Sequence, residues 1–214
     1  LGYIADGHAR GDKGMKIGAV PPYAKPDIKA ARKAYVDALR GGPVADVLQW
    51  TVIEALLEKA AEWDWPVPVH CGVWLDYRRR DPKHAIDMIM KHPGVRFDLY
   101  HLGAPFVRDC IFIAKNFPNA YLNLCWCYLL SEEMTRRAIG EILDTVPINK
   151  VFAFGGDEVL AVENVYGHLV MAREVLAEAL AQRIAQGQMD MDGAKQVARM
   201  WLYENPARFY GLDA

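Results

Sequence analysis

A regular alternation between short apolar runs and longer amphipathic segments constrains the fold most strongly. The apolar runs are residues 66–73 (PVPVHCGV), 95–103 (VRFDLYHLG), 120–126 (AYLNLCW) and 151–156 (VFAFGG). They are mostly apolar on both faces and begin about 30 residues apart, as buried parallel strands do in successive βα units. A weaker strand is predicted at residues 14–20 (GMKIGAV).

Helix signals occupy the segments around these runs. Asp81 precedes a proline and Ser131 precedes two glutamates, and both patterns are typical of a helix start. Helices are predicted over residues 25–39, 44–63, 81–92, 106–116, 131–143, 161–186 and 192–204. This order predicts an α/β fold with a parallel sheet, either a (β/α)8 barrel or a doubly wound sheet. No glycine-rich phosphate-binding motif follows any of the runs.

Composition limits the partners. The 214 residues suffice for a single domain, and 52% apolar with 24% charged residues is typical of a folded globular protein. The net charge of −2 gives no reason to expect nucleic acid or an anionic membrane as a partner. No apolar run approaches a membrane span, and the chain opens without a signal-peptide pattern. Its four cysteines are expected to be reduced core residues, which favours a cytoplasmic protein.

Three polar residues lie where these strands are expected to end. His70 and His101 close the first two runs, and Asp157 follows the fourth. Either histidine alone could be a hydrogen-bonded core residue. Together, two imidazoles and a carboxylate at equivalent strand ends match the three protein ligands of a catalytic zinc site. By contrast, His8 lies in a glycine-rich polar segment (DGHARGD) that predicts a loop.

The order of these motifs resembles a known family. Two strands ending in histidine, a strand ending in GGD and the closing segment 205–212 (NPARFYGL) are similar to the C-terminal half of the amidohydrolase-related (amidohydrolase 2) metal-dependent hydrolases. The resemblance covers about residues 14–212. It implies a (β/α)8 TIM barrel of which this chain supplies about the last five βα units, with residues 14–20 as strand four and residues 120–126 as strand seven.

The same resemblance implies roles for individual residues. His70, on strand five, would be a metal ligand. His101, on strand six, would contact the bound water or substrate. Asp157, after strand eight, would be both a metal ligand and the general base. Lys16 lies near a position where some members place a lysine or an acidic ligand, although an exposed lysine is the simpler interpretation. The implied metal is Zn²⁺, and Mn²⁺ or Fe²⁺ would tolerate the same ligands.

These ligands imply metal-dependent hydrolysis of an amide, lactone or ester in a small molecule. Decarboxylation or isomerisation on the same metal site is the alternative, because the fold alone does not select the reaction. The loop after His70 (VWLDYRRRD) contributes Trp74 and Arg78 as candidate substrate-binding residues, and Trp126 is a third. Arginine suits recognition of a substrate carboxylate. A solvated charged loop and core packing are the competing interpretations.

One departure from the family pattern affects the expected architecture. The paired histidines (His-x-His) of the family's first strand have no counterpart here, and about three βα units are missing. The chain is therefore expected to be an incomplete barrel with exposed strand edges. Pairing with a second copy or another segment would cover those edges, so a homo-oligomer is one expectation. A non-catalytic truncated barrel is another.

Overall fold

The computed structural model describes residues 2–157 and 161–212, and the strands of this part of the chain form one parallel sheet. Its order is β1-β2-β3-β4. The strands are β1 (Val67–His70), β2 (Phe97–Tyr100), β3 (Ala120–Asn123) and β4 (Val151–Phe152). Val67 lies opposite Phe97, and Leu99 lies opposite Leu122. The predicted α/β class with a parallel sheet is confirmed.

Helices follow each strand and precede the sheet. The α-helices of the described residues are α1 (Gly2–Arg10), α2 (Ile28–Leu39), α3 (Asp46–Glu62), α4 (Ile86–Lys91), α5 (Val107–Asn116), α6 (Cys127–Leu130), α7 (Glu132–Thr145), α8 (Val162–Ala185), α9 (Met191–Arg199) and α10 (Asn205–Tyr210). Short 3₁₀ turns span Tyr77–Arg80, Pro82–Ala85, His101–Gly103 and Ile148–Lys150, and a π-helical segment spans Met200–Glu204. None of the described helices combines the length and apolar character that a membrane crossing needs.

Side-chain caps explain why the main helices begin where the sequence predicts. Asp27 accepts a hydrogen bond from Ala30 N at 2.8 Å, and Ser131 accepts one from Met134 N at 3.2 Å. Each cap satisfies a backbone donor that the first turn leaves unpaired. Asp81 also caps its segment, but it opens a 3₁₀ turn, so the helix predicted over residues 81–92 is divided into that turn and α4.

All four strands are shorter than their apolar runs. The chain turns out of the sheet at left-handed residues: Gly72 after β1 (φ 71°), His101 after β2 (φ 62°) and Trp126 after β3 (φ 61°). A left-handed residue breaks the extended repeat, because it redirects the next carbonyl away from the neighbouring strand. The last residues of each run therefore form the loops at the carboxyl edge of the sheet.

The predicted strand at residues 14–20 was wrong as a strand. Ile17 instead forms an isolated parallel bridge to Val69, in which Ile17 N donates to Pro68 O at 2.8 Å and His70 N donates to Ile17 O at 2.9 Å. Glycines within the segment and the two prolines that follow it weaken extended pairing. The segment still covers the free edge of β1.

The prediction of a loop around His8 was also wrong, because these residues form α1. The His8 ring stacks on Trp63 with a centroid distance of 4.3 Å. A helix that contains two glycines has weak intrinsic propensity, so tertiary contact of this kind decides its conformation.

The two faces of the sheet have different neighbours. Phe97, Leu99 and Leu122 belong to the main apolar core, together with residues of α3 and α5. The other face is covered by α10: the Phe209 ring lies 4.7 Å from that of Tyr121, and Tyr210 Oη donates to Asp98 Oδ2 at 2.7 Å. The closing segment 205–212 therefore packs against the sheet on the face that carries His70.

Candidate metal centre

The carboxyl ends of three strands bring the predicted ligands together. His70 is the last residue of β1, His101 directly follows β2, and Asp157 lies in the loop after β4. Because the strands are parallel, their carboxyl ends meet at one edge of the sheet. One donor atom from each of the three residues lies within 4.8 Å of the other two.

Backbone carbonyls fix which nitrogen of each imidazole carries the proton. His101 Nδ1 lies 3.0 Å from Cys125 O, and His70 Nε2 lies 2.9 Å from Val73 O. A carbonyl oxygen only accepts hydrogen bonds, so both of these nitrogens donate. In the neutral rings, His101 Nε2 and His70 Nδ1 therefore carry no proton, and each presents a lone pair.

Those two lone pairs face each other. His101 Nε2 lies 3.2 Å from His70 Nδ1 and 3.6 Å from Asp157 Oδ2. Burial lowers the pKa of His101 to about 4 and also lowers the pKa of His70, so both rings are neutral at pH 7. Three electron-pair donors that converge without a proton between them fit a divalent cation. Carbonyl-bound imidazoles are also the usual second layer of a metal site.

Lys16 is exposed, as the simpler interpretation expects, and its ammonium group also reaches the same cluster. Its Nζ is 2.5 Å from Asp157 Oδ1, and it also lies 4.6 Å from the centre of the Tyr100 ring. Asp157 itself has a left-handed φ of 40°, a conformation that Asp and Asn adopt more readily than most residues. Its carboxylate is 27% exposed, so water can reach it.

The candidate substrate residues separate into two groups. The rings of Trp74 and Trp126 meet edge to face at 5.2 Å, and Trp126 Nε1 donates to Gly156 O, next to Asp157. Trp126 is therefore fixed to the loop that carries Asp157, and Trp74 packs against it. Arg78 is not brought into the cluster, because its guanidinium donates to Asp76 at 2.8 Å and its side chain is 81% exposed.

Some groups at the centre have no counterpart among the predicted residues. The carbonyls of Val73 and Cys125 orient the two imidazoles, and a backbone carbonyl leaves no trace in residue type. Arg80 stands in the loop after β1, but the sequence does not distinguish it from its two arginine neighbours.

Comparison with known proteins agrees with this arrangement. A family model described as amidohydrolase matches residues 5–212. The chain is 26% identical over 172 residues to protein fluG of Emericella nidulans, an alignment that covers 77% of this chain and 20% of that protein.

Solved structures share the fold at low identity. One is named as a metal-dependent hydrolase from Lactobacillus casei, with a TM-score of 0.84 and 18% identity over 98% of this chain and 58% of that one. Another is uronate isomerase from Thermotoga maritima, with a TM-score of 0.73 and 17% identity over 92% of this chain and 48% of that one. The chain thus spans about half the length of these structures and a fifth of protein fluG.

Proposed function

Because this chain belongs to the amidohydrolase family, we propose that it is a metal-dependent hydrolase that cleaves an amide, lactone or ester in a small molecule. The observation that carries the proposal is the convergence of donor atoms from His70, His101 and Asp157 within 4.8 Å. Zn²⁺ is the metal we propose, and Mn²⁺ or Fe²⁺ would accept the same ligands.

Each residue at the site would have its own role in the reaction. When bound, a divalent metal lowers the pKa of its water to about 7 and polarises the bond to be cleaved. His70 would hold the metal through the nitrogen that its carbonyl hydrogen bond leaves unprotonated. The corresponding nitrogen of His101 would contact the bound water or substrate, as the resemblance implies, or serve as a third ligand. Asp157 would complete the ligand set and accept a proton from the attacking water. Lys16 holds Asp157 Oδ1 and so orients Oδ2 towards the two histidines.

A lyase or isomerase on the same site is the second candidate. It is favoured by the likeness in fold to solved uronate isomerases, although one fold supports several reactions. A non-catalytic, truncated barrel is the third, because the chain covers only part of the proteins it resembles.

We also propose where the protein works and with what. Four free, buried cysteines support a reducing, cytoplasmic location for this single domain. The proposed partner is a small-molecule substrate, with no nucleic acid or membrane. Exposed apolar side chains on α2, such as Ile28 and Leu39, support association with a second copy of the chain.

A substrate panel tests the proposed reaction. Lactones, amides, aryl esters, aromatic carboxylates and sugar acids are incubated with the Zn²⁺-loaded chain, and water addition, CO₂ release and isomerisation are scored separately. We expect water addition that stops on chelation and returns with Zn²⁺. The exposed His8→Ala serves as the control variant that keeps this activity.

The other outcomes are equally informative. CO₂ release or isomerisation without water addition would replace the hydrolase with the second candidate. A metal-loaded chain inactive on every substrate would support the third.

A further inference from the structure

We propose that Arg80 binds a carboxylate group of the substrate at the mouth of the metal centre. The substrate class is then a small amide, lactone or ester that carries a carboxylate. This inference rests on the proposed function and adds to it the residue that selects the substrate.

The loop after β1 closes on itself at Arg80. Gly72 N donates to Arg80 O at 2.7 Å, so the end of the loop returns to a point two residues beyond His70. Gly72 has a left-handed φ of 71°, and a Cβ there would lie 2.1 Å from Ala104 O. Only glycine fits, and the position of the Arg80 backbone beside the centre is therefore fixed by packing.

Arg80 differs from its two arginine neighbours in its ionic partners. Arg78 is paired with Asp76, and Arg79 donates to Asp46 at 2.6 Å. Among the described residues, no carboxylate lies within 4.0 Å of the Arg80 guanidinium. Its Nη1 donates to Trp74 O at 2.7 Å, and its Nε is buried without a hydrogen-bond partner.

Arg80 has the donors that binding an anion requires. A buried donor left unsatisfied is costly, and the planar fork of guanidinium donors matches the two oxygens of a carboxylate. The Trp74 carbonyl holds one nitrogen of the fork in place, so less side-chain freedom is lost when an anion binds.

Backbone hydrogen bonds connect the Arg80 guanidinium to the candidate metal ligands. His70 donates to Val73 O, and the next carbonyl along the chain, that of Trp74, accepts from Arg80. Trp74 in turn packs against Trp126, whose indole nitrogen donates to the residue before Asp157. Two tryptophans therefore connect the residue that holds the guanidinium with the loop that carries Asp157.

The test compares Arg80→Gln with Arg78→Gln, a matched change at the exposed, paired arginine of the same loop. Benzoate is the probe and benzamide is its neutral counterpart. Binding to the Zn²⁺-loaded chain is followed by calorimetry and by the change in total tryptophan fluorescence, to which Trp74 and Trp126 contribute. We expect Arg80→Gln to weaken benzoate binding by about tenfold to a hundredfold, the range for charge-assisted hydrogen bonds. Arg78→Gln and the affinity for benzamide should not change.

A further variant and a parallel measurement separate the possible failures. Arg80→Lys keeps the positive charge and loses the planar pair of guanidinium donors. Its affinity for benzoate should therefore lie between those of wild type and Arg80→Gln. Arg80→Lys also gives a comparison with wild type if Arg80→Gln folds poorly. Equal benzoate affinity in all variants, or no benzoate binding by wild type, would overturn the assignment. Zn²⁺ content is determined on the same samples: loss of metal from wild type rejects the proposed function, whereas metal without Arg80-dependent binding rejects only this inference.

Discussion

At the scale of single residues, hydrogen bonds to the backbone decide what the centre can do. The positions of His70, His101 and Asp157 at strand ends could be predicted, because a parallel sheet gathers those ends at one edge. Their protonation could not be predicted. It depends on carbonyls of Val73 and Cys125 whose positions follow from turns with left-handed residues. The pairing of Lys16 with Asp157 could not be predicted either, because the two residues are far apart in sequence.

Replacing Asp157 by Asn tests its role as proton acceptor. Asn tolerates the left-handed φ at this position, so the fold should be retained, whereas Ala would add strain. We expect kcat to fall by roughly 10²- to 10⁴-fold, the usual contribution of a positioned base. Steady-state kinetics on the best substrate of the panel gives the measurement. A kcat within a factor of about three of wild type would remove Asp157 from this role.

The buried carboxyl of Asp98 should make the stability of the fold depend on pH. Burial raises the pKa of its carboxyl from 3.8 to about 7, so folding favours the protonated form. The folded protein then binds more protons than the unfolded chain between those values, and the free energy of unfolding falls as pH rises through this window. The loss between pH 5 and pH 8 should be about 2–3 kcal/mol.

The matched variant is Asp98→Asn, because an amide can accept from Asn123 and Tyr210 without titrating. Urea unfolding of both proteins at pH 5 and pH 8 isolates the contribution of Asp98. If wild type and variant lose stability in parallel, the buried carboxyl is not its source.

At the scale of secondary-structure elements, helices were easier to predict than strands. The Ser131 cap is a local signal, and it places the start of α7 correctly. A strand end depends on where the chain leaves its neighbours, as at His101 and Trp126. The apolar runs continue through those turns, because the turn residues are themselves buried or aromatic. The tertiary contact of His8 with Trp63 likewise has no local signal, so α1 was predicted as a loop.

The edge of β4 is protected by the C-terminal elements. Asn205 Nδ2 donates to Ile148 O at 2.8 Å and to Val151 O at 2.9 Å, while Ala153 N donates to Trp201 O at 2.8 Å. These bonds occupy backbone groups that an unpaired edge strand would expose.

Asn205→Ala should therefore destabilise the fold by about 1–3 kcal/mol, since Val151 O loses the Asn205 donor and Ile148 O keeps only the one from Trp201 Nε1. The exposed Asn149→Ala is the control and should change stability by less than about 0.5 kcal/mol. The midpoint and slope of urea unfolding provide the comparison. Equal midpoints for both variants would show that Asn205 does not hold this edge.

At the scale of the whole molecule, the parallel sheet of the described residues gathers the candidate ligands at one edge. The described strands form a four-stranded sheet, with residues around Ile17 along β1 and the C-terminal helices along β4. The expectation of an incomplete barrel remains a proposal, as does a homo-oligomer. The three candidate ligands nevertheless equal the number of protein ligands that catalytic zinc sites use.

The metal content of the purified protein tests the central claim most directly. Wild type, His70→Ala/His101→Ala and the control His8→Ala are dialysed against Zn²⁺, desalted and examined by elemental analysis. We predict about one Zn²⁺ per chain in wild type and in the control, and close to none in the double variant. Wild-type protein without stoichiometric metal, or a double variant that retains it, would contradict a metal centre at His70, His101 and Asp157.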